Sequence, residues 1–325
     1  MPRDHGSAED RLIARYFKPL AKHPSAFQLA DDAAAITPPA GHDLVLKTDG
    51  LIAGVHFFPD DPADGVARKA LRVNLSDLAA KGAAPLGFLL SIALPNNFDE
   101  DWLADFARGL GEDADAYTCP LLGGDTDCTP GPTTIYVSAF GTLPAGTMVR
   151  RSGAKAGDHV FVSGTIGDAA LGLRARRGEL ADPSGKLVSR YRLPQPRMAL
   201  AESVRAHASA AMDVSDGLVG DLAKLCAASR VSADVEVARV PHSDAAENAL
   251  TTDCNLIEAI LTGGEDYEIL CTVAPDRIAA FTTESARAGV AVTDIGRIVM
   301  GDALPRFLNP KGEPLTFLRP SYSHF

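Results

Sequence analysis

Apolar residues recur every three or four positions over residues 62–81. Leu71, Leu75 and Leu78 fall on one face there, and Asn74, Asp77 and Lys81 on an adjacent stripe, so the spacing predicts a helix. A second helix is expected over 99–117, with Trp102, Phe106 and Leu110 inward. Ser7-Ala8-Glu9-Asp10 reads as a capping-box start to an N-terminal helix whose Leu12, Ile13, Tyr16 and Phe17 share a face and which Pro19 ends. Short apolar runs predict strands: Leu44-Val45-Leu46 delivering Thr48-Asp49 at its end, then 88–94 and 135–140.

Between 141 and 157 the texture changes to Gly, Pro and basic residues, and the domain junction is placed there, giving domains 1–146 and 147–325. The second half repeats the mixture. Strands are expected at 159–163, 211–214, 235–237, 269–273 and 292–298. Helices are expected to start at Asp168, Arg197 and Leu218, with a polar connection over 178–190. Alternating helices and strands with many turns make the class α/β or α+β.

Composition narrows the function without naming it. The chain has 325 residues, 46% hydrophobic and 22% charged, with a net charge of −11, which argues against a nucleic-acid surface. No apolar run approaches the ~18 residues of a membrane span, and Met1-Pro2-Arg3-Asp4-His5 lacks the apolar core of a signal peptide. The five cysteines are scattered and form no C-x-x-C pair. They are expected to be reduced, and mostly packing residues, in a cytoplasmic protein with no nucleic-acid or membrane partner.

Part of the negative charge is concentrated in short motifs: Asp31-Asp32, Thr48-Asp49, Asn74-Leu75-Ser76-Asp77, Gly123-Gly124-Asp125-Thr126 and Asp213-Val214-Ser215-Asp216-Gly217. Two carboxylates ~5 Å apart repel by roughly 3 kcal/mol at an effective dielectric of 20. Brought together, such groups call for cations, and oxygen ligands suit Mg²⁺ accompanied by phosphates. Gly123-Gly124 reads as a turn that lets backbone approach a phosphate. Asp213 and Ser215 alternate onto one strand face, and Asp216-Gly217 turns into a helix N-terminus. Singly, each motif also reads as an ordinary turn or cap. The P-loop, the dinucleotide fingerprint, the nucleophile elbow and the protein-kinase signatures are all absent, so phosphate handling would fall to metal ions and glycine-rich turns.

The order of these motifs resembles the thiamine-monophosphate kinase family, part of a superfamily that also holds aminoimidazole ribonucleotide synthetase, selenophosphate synthetase and a hydrogenase maturation protein. The resemblance adds Gly54-Val55-His56-Phe57, Arg151-Ser152-Gly153-Ala154-Lys155, Gly263-Gly264-Glu265-Asp266-Tyr267-Glu268 and Ser321-Tyr322-Ser323-His324-Phe325, and runs in order over essentially the whole chain. It implies an N-terminal α/β domain that forms a β-barrel across a homodimer and a C-terminal α+β domain that closes the active site. It also implies phosphorylation of thiamine phosphate to thiamine diphosphate by direct in-line transfer from ATP.

By match, Asp32, Thr48, Asp49, Asp77, Asp125, Asp213 and Asp216 would hold several Mg²⁺ ions, with Asp49, Asp125 and Asp213 central to catalysis. Gly124, Asp125, Arg151 and Ser215 would contact ATP. His56, Glu265 and Phe317 would hold thiamine phosphate. Phe317 also reads as a buried tail anchor, and His56 as a packed residue. Two departures stand out: Lys47 replaces a small hydroxyl that often helps ligate metal, and Ala30 replaces the glycine before the Asp pair. The alternatives are another ATP-dependent synthase of the superfamily, or a non-catalytic nucleotide-binding scaffold. The first cysteine, Cys119, argues against selenophosphate synthesis, which the resemblance ties to a reactive Cys near the N-terminus.

Overall fold

Ten strands form two sheets in the computed structural model, which describes residues 7–319 and Ser321. Residues 1–6, where the signal-peptide expectation falls, residue 320, and residues 322–325, part of the terminal resemblance, lie outside the described residues. The chain divides into two compact units. One takes the chain up to Leu75 together with Ala84–Ala145; the other takes Ser76–Ala83 and everything from Gly146 on.

The first unit carries β1 (His42–Ile52), β2 (Ala84–Pro95), β3 (Leu121–Thr129) and β4 (Thr134–Pro144), ordered β1-β4-β2-β3. β4 pairs antiparallel with β1 and β2, whereas β2 and β3 are parallel. A parallel pair needs a crossover, and the helix Glu100–Ala116 supplies it. That helix starts where Asp99 accepts the Asp101 N–H at 3.0 Å, and Trp102 stacks on buried Phe106 at 5.3 Å. Asp113 near its end is buried and compensated by Arg68 and Arg72 of the helix Ala63–Ala80, at 2.8 and 2.5 Å. Leu71, Leu75 and Leu78 are fully buried, as their spacing requires.

The four-stranded sheet is two-faced. Ile135, Val137 and Ala139 of β4 and Leu90, Ile92 and Leu94 of β2 are buried, while Leu44, Leu46 and Tyr136 stand exposed on the other side. The sheet is open within one chain, ending at β1 and β3.

The second unit carries β5 (His159–Ser163), β6 (Ala208–Val214), β7 (Ser232–Glu236), β8 (Glu268–Val273), β9 (Val292–Val299) and β10 (Arg306–Leu308), ordered β10-β7-β9-β5-β8-β6. All pairings are antiparallel except β10–β7. β8 is buried along its whole length, so both faces of this sheet are covered. Val160, Val162 and Met212 pack into one core, and Phe161, Ile269 and Phe281 into the other.

Several expectations shift. The polar connection over 178–190 contains the start of a helix, Lys186–Arg192, and the strand expected at 235–237 is Ser232–Glu236. The helix expected from Arg197 begins at Ala201, after a 3-10 turn. Three cysteines, Cys119, Cys226 and Cys271, are buried, with thiols pushed up to about 12 by burial, whereas Cys128 and Cys254 are exposed rather than packed. Among the described residues no helix is long and apolar enough to cross a membrane.

Candidate active site

In the first unit, two motifs expected at turns lie inside strands. The apolar run Leu44–Leu46 stops, but β1 continues through Thr48 and Asp49 because β4 pairs with it as far as Ile52. Side chains alternate, so Thr48 and Asp49 face opposite sides of the sheet. Thr48 Oγ1 donates to the Val137 carbonyl at 3.2 Å and accepts from Ser138 Oγ at 3.1 Å. Asp49 shares its face with Lys47, whose Nζ lies 3.1 Å from Asp49 Oδ1.

Gly123-Gly124-Asp125-Thr126 forms part of β3, not a turn. Gly124 is required there because a Cβ would sit 1.8 Å from the Leu90 carbonyl oxygen of the neighbouring strand. Asp125 stands beside Ser91 in the β2–β3 register, exposed, with Oδ1 accepting the Thr126 N–H at 3.1 Å.

Asp31 and Asp32 follow a segment in which Phe27, Gln28 and Leu29 all have left-handed backbone, φ 46°, 57° and 54°. Three successive such residues are costly without tertiary support. Asp31 Oδ1 accepts the Asp32 N–H at 2.8 Å. Asp31, Asp32, Ser91, Gly124, Asp125 and Ser138 line one cavity of about 730 Å³, whose apolar wall includes Leu89, Leu122 and Phe140. The structure therefore brings together the Asp31-Asp32 and Gly124-Asp125 motifs. Thr48 and Asp49 do not line this cavity. His56 is half-buried, and its Nδ1 accepts the Ile52 N–H at 3.0 Å.

In the second unit, β6 ends at Val214, so Ser215 does not share a strand face with Asp213 as its spacing suggested. Asp213 is buried, while Ser215 and Asp216 sit in the turn that follows. That turn is tied by Asp221, whose Oδ2 accepts the Ser215 and Asp216 N–H groups at 3.0 and 2.9 Å. Burial raises the Asp221 pKa, and the hydrogen bond from Lys224 partly offsets it. Lys224 Nζ bridges Asp216 Oδ2 at 2.5 Å and Asp221 Oδ1 at 2.8 Å. Gly217, φ 110°, then opens the helix Leu218–Ser229.

The Gly263–Tyr267 loop lies against this turn: the Glu265 N–H donates to the Ser215 carbonyl at 2.8 Å and the Tyr267 N–H to Val214 at 2.8 Å. Asp77 is half-buried beside Ser76, whose Oγ donates to the Tyr267 carbonyl at 3.4 Å. Arg151 is exposed, and its carbonyl accepts Ser229 Oγ at 2.9 Å. Phe317 packs edge-on against Phe307, centroids 5.6 Å apart, which is the contact a tail anchor makes.

Among the described residues no three His, Cys, Asp or Glu side chains converge as a metal cluster. The donors around the cavity are nonetheless all oxygen, and Mg²⁺ needs only one or two protein carboxylates when phosphates and water complete its shell. The residues present thus fit that ion.

Sequence reasoning missed Ser91, Ser138 and Asp221, and singled out Asp266 only as part of its motif. Asp221 carried a signal, a lone carboxylate within the apolar stretch Leu218–Leu222. The serines carried none until strand register set them beside Asp125 and Thr48.

Residues 30–143 match the AIR synthase related protein N-terminal domain and residues 155–306 its C-terminal domain. A thiamine-monophosphate kinase of Caulobacter vibrioides is 43% identical over 316 residues, 96% of this chain and 89% of that protein. The chain belongs to the thiamine-monophosphate kinase family. A crystal structure of the family member from Stenotrophomonas maltophilia K279a superimposes with a TM-score of 0.82 at 37% identity, covering 94% of this chain and 96% of that one. The structure of AaThiL complexed with AMPPCP and TMP matches with a TM-score of 0.76 at 31% identity over 91% of each chain.

Proposed function

We propose that this kinase transfers the terminal phosphoryl group of ATP to thiamine phosphate, giving thiamine diphosphate and ADP. The observation that carries the reading is likeness over nine-tenths of the chain to a protein complexed with AMPPCP and TMP, a pair that corresponds to the two substrates.

The nucleophile is a phosphate oxygen of the substrate, already anionic, so no strong protein base is needed. Positioning and charge neutralisation do most of the work in such a transfer. Bound Mg²⁺ would neutralise the transferring phosphates and relieve their mutual repulsion. Asp32, Thr48, Asp49 and Asp125 of the first unit, and Asp77, Asp213 and Asp216 of the second, are the proposed ligands, with Asp49, Asp125 and Asp213 the most important for rate. Gly124, where a side chain has no room, lets backbone meet the nucleotide, and Asp125, Arg151 and Ser215 contact it. His56, Glu265 and Phe317 hold thiamine phosphate.

We further propose a symmetric homodimer that joins the four-stranded sheets into a barrel. Supporting it, Leu44, Leu46 and Tyr136 leave an apolar sheet face uncovered, at 42%, 65% and 47% exposure.

Incubation with ATP, Mg²⁺ and thiamine phosphate, followed by chromatography, should yield thiamine diphosphate in step with ADP. Release of ADP without the diphosphate would overturn the reading.

A further inference from the structure

Asp266 belongs to the Gly263–Glu268 motif but has no part in the proposed reaction, and it is only 1% exposed. Its Oδ2 accepts the Gly167 N–H at 2.7 Å and its Oδ1 the Ala169 N–H at 3.2 Å. These amides open the nine-residue helix Asp168–Arg176, whose N-cap, Gly167, has no side chain with which to cap it. Asp266 therefore caps that helix from a distant part of the chain, satisfying donors a helix leaves open.

The backbone on either side is strained. Glu265 and Tyr267 have φ 76° and 52°, left-handed values that neither side chain favours. Such a conformation persists only where its surroundings impose it. The main-chain bonds from Glu265 to Ser215 and from Tyr267 to Val214 hold the loop on one side. Gly264 presses close there too, since a Cβ on it would lie 2.2 Å from the Ser215 carbonyl oxygen. On the other side the Asp266 carboxylate holds it to the helix.

We propose that Asp266 is a positioning residue: by tying the strained loop to the helix Asp168–Arg176, it fixes the direction of the Glu265 carboxylate toward thiamine phosphate. This rests on the proposed role of Glu265. Burial pushes the Asp266 pKa up to about 8, and the Gly167 and Ala169 N–H groups act against that rise by favouring the carboxylate.

Asp266→Asn in the full-length protein keeps the side-chain size but turns one acceptor into a donor facing an N–H. The KM for thiamine phosphate should rise about tenfold while the KM for ATP stays within about twofold. Because Asp266 acts through Glu265, the double variant with Glu265→Gln should have a KM no higher than Glu265→Gln alone. Multiplicative effects, or a lower kcat with both KM values unchanged, would overturn the inference, since the latter reports only fewer folded molecules. If Asp266→Asn does not fold, Asp266→Ser runs the same cycle.

A wild-type protein that makes no thiamine diphosphate would sink the functional reading by itself. The tie is then read by hydrogen exchange in Asp266→Asn. Exchange of the Glu265 and Tyr267 amides at least about tenfold faster, with β8 unchanged, would support it. Unchanged protection of those two amides would overturn it.

Discussion

Lys47 and Asp49 project from one face of β1 and form an ion pair at 3.1 Å, while Thr48 between them faces the other side and bonds Ser138. Asp49, a proposed metal ligand, thus has a counter-charge built into its own strand. The pair is partly exposed, at 29% and 40%, so its own contribution is about 0–1 kcal/mol.

Lys47→Ser should therefore change metal dependence more than stability. With its ammonium gone, Asp49 offers its full charge to a cation, and the Mg²⁺ concentration for half-maximal turnover should fall several-fold. An unchanged Mg²⁺ titration would show that Lys47 does not compete for Asp49.

Asp125→Asn should lower kcat at least about 100-fold, because a neutral amide is a poor metal ligand and each ~1.4 kcal/mol lost from the transition state costs tenfold. The side chain is exposed, so the melting temperature should stay near that of the parent. A near-normal kcat would remove Asp125 from the metal site.

Leu46→Glu puts a charge in the middle of the exposed apolar face of β1, where the residue is 65% exposed in the single chain. Analytical ultracentrifugation should show a dimer for the parent and a shift toward monomer for the variant, since an unpaired charge in an apolar interface is costly to desolvate. A parent protein of 34.1 kDa at micromolar concentration would rule out the sheet-face dimer.

Phe317→Ala removes an edge-on contact with Phe307 worth roughly 0.5–1.5 kcal/mol beyond the area it buries, so the melting temperature should fall. The substrate role predicts in addition a rise of about tenfold in the KM for thiamine phosphate, with the KM for ATP little changed. A lower melting temperature with both KM values intact would leave Phe317 as an anchor only.

Asp266 gives stability a pH dependence of known sign. Its folded pKa is pushed up to about 8 by burial, above the ~4 of an unfolded carboxyl, so the folded state holds more protons between those values. Stability contributed by this group is present below the unfolded value and declines as pH rises toward about 8, by up to ~1.4 kcal/mol per pH unit. Urea midpoints at pH 5.5 and 7.5 should differ less in Asp266→Asn than in the parent. Identical pH slopes would place the Asp266 titration elsewhere.

The sequence by itself determined the elements with a long or unbroken apolar pattern. Leu71, Leu75 and Leu78 announce a helix, and the strands 159–163 and 269–273 are continuous runs because both faces of their sheet are covered. It also determined which motifs to watch, since carboxylates and paired glycines are conspicuous whatever their conformation. Short elements were less legible. The helix Asp244–Thr252 had one signal, Ser243, whose Oγ accepts the Ala246 N–H at 3.2 Å.

Only the tertiary structure decided that Thr48-Asp49 and Gly124-Asp125 lie within strands, because pairing with a neighbour extends a polar segment that its own propensity would release. It also decided which residues share a face: a strand's two sides are fixed by register, and Ser91 meets Asp125 only through β2 and β3. The role of Asp266 was likewise hidden, because its partners, Gly167 and Ala169, lie about a hundred residues away and the acceptor serves main-chain donors that any sequence would supply.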